Sequence, residues 1–227
     1  MSRVESERVR LLIGTTGTGK TYKMRELLNR ENRCFLFDLM ADPKFEDWGV
    51  LVDNMEDAVK LAKKTERYRV RMQFDEVERF DFLCKLHVKQ PHGLQVFENS
   101  TIAVDELAMF CSSAWLPDGL KNVIRLGRHT QSRFIATTQR PPDITPFIRS
   151  QAKEQYLFQM HEPIDLQCFA KRLPDVNQLT TLKTGEYILW KPSEMNANFS
   201  LRRSRNSLGP SSMEPSVEYS NGNKSEE

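Results

Sequence analysis

Short apolar runs separated by amphipathic stretches recur along the chain. Val9–Ile13, Cys34–Met40 (CFLFDLM), Tyr68–Phe74, Thr101–Leu107, Arg133–Thr138, Tyr156–Met160 and Gly185–Lys191 have the length and composition of strands. Between them, Thr21–Asn32, Met55–Lys64, Phe80–Val88, Asp118–Arg128 and Pro163–Leu173 read as helices. Met24, Leu27 and Leu28 share a face of the first. Pro91 and Gly93 stop the third, Pro117 and Asp118 start the fourth, and DPKFEDWG is a loop. Strands alternating with helices at this spacing predict an α/β fold with a mostly parallel central sheet covered by helices on both faces. Nothing suggests a second core or an internal repeat. From Ser193 the chain becomes rich in Ser, Asn, Pro and Glu and poor in aliphatic residues. Residues 1–192 therefore read as one domain and 193–227 as a flexible tail. Arg202, Arg203 and Arg205 in that tail either keep it soluble or meet an acidic partner.

Composition adds little. The chain has 227 residues, 39% of them hydrophobic, enough for one α/β core. A net charge of +2 is too mild to announce a nucleic-acid binder. No apolar run approaches the ~20 residues that span a bilayer, and the first residues lack a signal-peptide segment, so a cytosolic, non-secreted protein without a transmembrane segment is expected. Cys34, Cys84, Cys111 and Cys168 lie far apart and read as free thiols. The four histidines form no pair at metal-ligand spacing, so no zinc is expected.

Candidate chemistry begins with GTTGTGKT, residues Gly14–Thr21, directly after the first apolar run. It fits the phosphate-binding pattern G-x-x-x-x-G-K-[ST] in the strand–loop–helix setting that the pattern requires. Gly14, Gly17 and Gly19 let the backbone curl around phosphates. The amides of Thr15, Thr16, Thr18 and their neighbours point inward, helped by the positive end of the following helix. Lys20 reaches the β- and γ-phosphates of ATP, and the Thr21 hydroxyl ligates Mg²⁺.

The second motif is STIAVDELAMF. Asp105 stands at a strand end, where it holds the Mg²⁺ water shell, and Glu106 polarises an attacking water. That acid pair suits hydrolysis more than small-molecule phosphorylation. The third is RFIATTQRPPDI, whose strand should lie beside the one carrying Asp105. Gln139 then reaches the γ-phosphate or the water. A GTPase would need an N/T-K-x-D guanine motif, and none is apparent.

GTTGTGKT, TIAVDE, GRHTQSRFIATTQRPPDI and IRSQAKEQYLFQM together resemble the FtsK–HerA superfamily of ring-shaped DNA-pumping ATPases, over roughly residues 9–191. The size resembles stripped-down members, the genome-packaging ATPases of tectivirus-type viruses. The resemblance implies a RecA-like P-loop domain and Mg-dependent ATP hydrolysis. It implies a homo-oligomeric ring, pentamer or hexamer, moving double-stranded DNA into a preformed capsid. Location would be the host cytoplasm or a capsid vertex, with capsid or membrane proteins as possible partners. Lys20, Thr21, Asp105, Glu106 and Gln139 match the superfamily's site residues. Arg128 lies where FtsK-like proteins carry an arginine finger that acts on a neighbour's ATP, with Arg125, Arg140 and Arg149 as rivals. A plasmid DNA-transfer or filamentous-phage assembly ATPase is the nearest alternative. A P-loop kinase or a nucleotide-gated assembly protein is the alternative of another class.

The DNA surface is less legible. Between Lys121 and Lys153 the only acid is Asp143. That basic stretch suits a subunit interface, a DNA contact or both. Two loops are candidate pore loops or plain surface loops: Cys84–Gly93, with Lys85 and Lys89, and Cys111–Gly119, with Trp115.

Overall fold

The computed structural model describes residues 8–88, 97–191 and 201–203. In chain order the elements are β1 (Val9–Ile13), α1 (Lys20–Leu28), β2 (Arg33–Asp38), β3 (Val50–Val52), α2 (Met55–Lys64), β4 (Tyr68–Met72), α3 (Val77–Lys85) and β5 (Thr101–Asp105). They continue with α4 (Asp118–Leu126), β6 (Arg133–Thr138), α5 (Pro146–Gln151), β7 (Glu154–Leu157), α6 (Pro163–Gln167), α7 (Gln178–Thr181), β8 (Glu186–Trp190) and β9 (Leu201–Arg203). One sheet runs in the order β3-β4-β2-β5-β6-β1-β7-β8-β9. Every pairing from β3 to β7 is parallel, while β8 and β9 close the far edge antiparallel.

The central strands are apolar without alternation because both faces are covered. On β1, Val9, Leu11 and Ile13 join the layer formed with Phe80 and Leu83 of α3 and Leu120, Val123 and Ile124 of α4. Leu12 points the other way, into the layer holding Met24, Leu27 and Leu28 of α1 with Phe45 and Trp48. The helices α3 and α4 meet closely at Gly119, where a Cβ would lie 2.4 Å from the carbonyl oxygen of Asp81. Only glycine permits that approach.

Several element ends differ from the periodicity. The third helix covers Val77–Lys85 instead of Phe80–Val88, because His87 leaves the helix to bury its ring between the Leu83 carbonyl and the Ser100 hydroxyl. The expected helix from Pro163 ends at Gln167 and continues as turns, with Phe169 buried. The three-residue β3 was not apparent from its pattern. Within the segment read as a tail, Leu201–Arg203 pairs with β8, and Arg203 reaches Glu186 at 2.8 Å. No helix among the described residues is long and apolar enough to cross a membrane.

Candidate functional site

The expected phosphate loop leaves β1 in the middle of the sheet, between β6 and β7. Gly14 is wedged under Phe158, whose Cβ would lie 2.7 Å from a Cβ added at the glycine. The Thr15 N–H and hydroxyl both donate to the Gln159 carbonyl, at 3.0 and 3.1 Å. The Thr18 hydroxyl donates back to the Thr15 carbonyl at 2.7 Å. The Thr18 carbonyl in turn accepts the Gly185 N–H at 2.9 Å, which docks the turn before β8 onto the loop. Gly17 has φ of 80° with nothing within 4 Å of its Cβ position, so the loop is open at that point.

Gly19 caps α1 in a left-handed conformation and has no side chain to accept a hydrogen bond. The first intrahelical donor of α1 is the Lys23 N–H, so those of Lys20, Thr21 and Tyr22 point out of the helix without an intrahelical acceptor. Such an uncapped terminus favours an anion. Lys20 folds back over the loop and donates to the carbonyls of Gly14 at 2.6 Å and Thr15 at 2.9 Å. Burial lowers its pKa, against the attraction of Glu106 and Asp105. Open loop, free amides and buried ammonium together fit a phosphate chain.

The acid pair lies two strands away from the loop's strand. As expected, β6 sits beside β5, and it separates β5 from β1; the Thr137 hydroxyl on β6 donates to Asp105 Oδ1 at 2.7 Å while accepting the Glu106 N–H at 2.9 Å. Burial raises the Asp105 carboxyl, and the Thr137 bond works against it. Glu106 has φ of 70°, a left-handed conformation that costs a non-glycine residue on the order of 1–3 kcal/mol. Leu107 and Phe110 hold it there, both fully buried, with Phe110 stacked 4.4 Å from Phe80. Burial also raises the Glu106 carboxyl, with Lys20 and the backbone and side-chain amides of Gln139 holding it down. Gln139 also accepts the Thr16 hydroxyl at 3.0 Å. The strand-end glutamine thus touches the loop on the side where Glu106 stands.

Among the described residues no three His, Cys, Asp or Glu side chains form a metal cage. A hard cation beside Thr21 and Asp105 would take its remaining ligands from phosphate and water, as suits Mg²⁺. Thr137 is not singled out by the sequence motifs, although it stands on β6 two residues before Gln139. Asp38 and Lys44, which lie beyond Asp105, are not singled out either.

No protein-family model matches the sequence, and no curated protein is significantly similar to it. Solved structures do share its architecture. The genome packaging NTPase B204 from Sulfolobus turreted icosahedral virus 2, in complex with ATP-gammaS, superposes with a TM-score of 0.69 at 18% identity, over 89% of this chain and 99% of that one. B204, the DNA-packaging ATPase from Sulfolobus turreted icosahedral virus, gives 0.64 at 19%, over 84% and 95%. VirB4 of Thermoanaerobacter pseudethanolicus gives 0.60 at 12%, over 86% and 88%. The chain has the fold of a viral genome-packaging NTPase.

In this packaging-NTPase fold the remaining candidates fall on two opposite edges. Arg128 follows α4 and precedes β6, at the edge where the parallel strands begin, whereas the phosphate loop lies where they end. Arg128 is exposed, and among the described residues its one side-chain bond is to His129 at 3.3 Å. Two rivals are engaged otherwise: Arg125 stacks on Phe147 and Arg140 pairs with Asp165 at 3.4 Å, whereas Arg149 has a buried Nε that makes no hydrogen bond among the described residues. Lys85 ends α3 on the strand-start edge and pairs with Asp81 at 2.6 Å. Lys89 lies outside the described residues. Trp115 sits on the other edge, half-exposed in a turn closed by Ser112.

Proposed function

We propose that the chain is an Mg-dependent ATPase of a ring-shaped motor that drives double-stranded DNA into a viral capsid. The observation that carries the reading is the Thr137 hydroxyl, which ties Asp105 to the Glu106 backbone at the strand ends, beside a loop held by Lys20 and touched by Gln139 through Thr16. A simple phosphate-binding protein needs the loop alone. An acid pair fixed beside the loop, with a glutamine touching that loop, gives the site a means to activate water at a γ-phosphate.

In this reading the amides of Gly14–Thr21 cradle the phosphates, and Lys20 leaves the loop carbonyls for the β- and γ-oxygens. Mg²⁺ held by Thr21 and Asp105 would neutralise charge building on the phosphates. Glu106 takes a proton from the attacking water, and Gln139 orients that water. Arg128 acts on the neighbouring subunit's nucleotide, since its own loop is on the opposite edge of the sheet. A kinase reading is disfavoured because it leaves Glu106 in a strained conformation without a task.

The test is ATP turnover. Lys20→Ala abolishes activity and binding, whereas Glu106→Gln keeps binding and lowers turnover at least ~10²-fold, the scale of a lost general base. Near-normal turnover in Glu106→Gln would remove that residue from the chemistry.

A further inference from the structure

Beyond Asp105 the sheet carries one more acid on the same face. Asp38, the last residue of β2, lies in register with Asp105, and their strand neighbours Leu36 and Ala103 both pack in the α1 layer. Asp38 is fully buried. Its Oδ1 accepts the Asp42 N–H at 3.0 Å, and its Oδ2 makes no hydrogen bond and lies 3.8 Å from Arg71. The chain then turns through Ala41, left-handed at φ 50°, into a single 3-10 turn at Pro43–Phe45 capped by the Asp42 carboxylate. Phe45 and Trp48 pin this turn into the α1 layer, while Arg25 of α1 donates to the Lys44 carbonyl and pairs with Asp47 at 2.8 Å.

The turn therefore has a fixed place, and it delivers Lys44 to the mouth of the site. Lys44 Nζ lies 3.3 Å from Asp42 Oδ1 and 5.0 Å from the ring centroid of Tyr22, in the first turn of α1. It also attracts the Asp105 carboxyl, as Lys20 does. A one-third exposed ammonium beside the first turn of α1 is poised to move a short way. Its pair with Asp42 is a partly exposed one, which holds weakly.

We infer that Lys44 is a further polyphosphate-binding residue, parked on Asp42 without nucleotide and drawn to the terminal phosphate of a nucleoside triphosphate. Asp38 is the positioning residue that anchors the turn. The assignment rests on the nucleotide-binding reading above and adds to it a residue that tells triphosphate from diphosphate.

The experiment is an equilibrium titration of a slowly hydrolysed ATP analogue and of ADP. Lys44→Ala should weaken analogue binding about tenfold, the scale of one charge-assisted hydrogen bond, and ADP binding less than about twofold. Lys44→Arg should restore part of the difference. Asp42→Asn, which keeps the cap acceptor but frees Lys44, should tighten analogue binding. Equal weakening for both nucleotides, no change for either, or weaker binding in Asp42→Asn would overturn the assignment. Lys20→Ala separates the two claims. If it loses both nucleotides while Lys44→Ala loses neither, the nucleotide site stands and Lys44 is excluded from it. If the wild-type chain binds neither nucleotide, both claims fall.

Discussion

The Thr137 hydroxyl donates to Asp105 Oδ1 at 2.7 Å and with the same oxygen accepts the Glu106 N–H at 2.9 Å. One side chain on β6 therefore fixes the expected magnesium carboxylate and the backbone of the expected base. Thr137→Val keeps the shape and deletes the hydroxyl. It should cost about 1–3 kcal/mol of stability, because a buried amide and carboxylate lose a partner. Turnover should fall more than nucleotide affinity, and Thr137→Ser should restore most of it. Steady-state hydrolysis and nucleotide titration on the three proteins check this. Unchanged turnover in a folded valine variant would show that the hydroxyl positions nothing.

Burying two carboxylates without a cation destabilises the protein. Burial raises both Asp105 and Glu106. A carboxyl raised on folding binds its proton more tightly in the native state, so its contribution to stability falls as pH rises through the raised range. Asp105→Asn and Glu106→Gln should therefore raise the melting temperature at neutral pH, by about 2–4 °C for each kcal/mol relieved. The gain should shrink as pH drops toward the usual carboxylate range. Thermal melts across pH, without nucleotide, measure it. A melting temperature lowered at neutral pH in both variants would contradict it.

His87 acts in the opposite direction. It is buried between the Leu83 carbonyl and Ser100, and its pKa is lowered from 6.5 to about 4 by burial. Between those values the unfolded chain binds the proton that the folded one refuses, so stability falls as pH drops through the window. His87→Gln keeps amide hydrogen-bonding capacity and does not titrate. Its stability should be lower near neutrality but less steep below pH ~6.5, where free histidine begins to protonate. An identical slope in denaturant midpoints would rule out His87 as a source of acid sensitivity.

Much of this was legible in the sequence because it is local. β1 and β6 have the bounds that their apolar runs indicate, and GTTGTGKT lies between a strand and a helix as its pattern demands. Contacts that cross the sheet were not legible. Nothing near Thr137 in the chain signals that its partner is 32 residues away, and Lys44 reads as an ordinary loop cation until the α1 layer places it. The strand β3 is too short to show a period, and β9 exists only by pairing with β8. His87 reads as the end of a helix because an apolar periodicity does not distinguish a last helical turn from a buried loop.

The position of Arg128 predicts action between subunits. It lies at the strand-start edge, away from its own phosphate loop. Mixing Arg128→Ala with Lys20→Ala should partly restore hydrolysis, since some interfaces then hold one intact loop and one intact arginine. A monomeric preparation hydrolysing ATP at the full rate would exclude a role in trans.

A motor on duplex DNA must change its grip with the bound nucleotide, and that change can be measured. A pump must hold any sequence, so its contacts fall on phosphates. Binding should ignore sequence and weaken steeply with salt as counterions are released. It must also differ between nucleotide states, and linkage then makes DNA alter ATP affinity by the same factor. Duplex DNA should be titrated with a slowly hydrolysed ATP analogue and with ADP, at two salt concentrations. A motor should show sequence-independent affinity that differs between the two states and falls at the higher salt. Identical affinity in both states, or none in either at low salt, would contradict it.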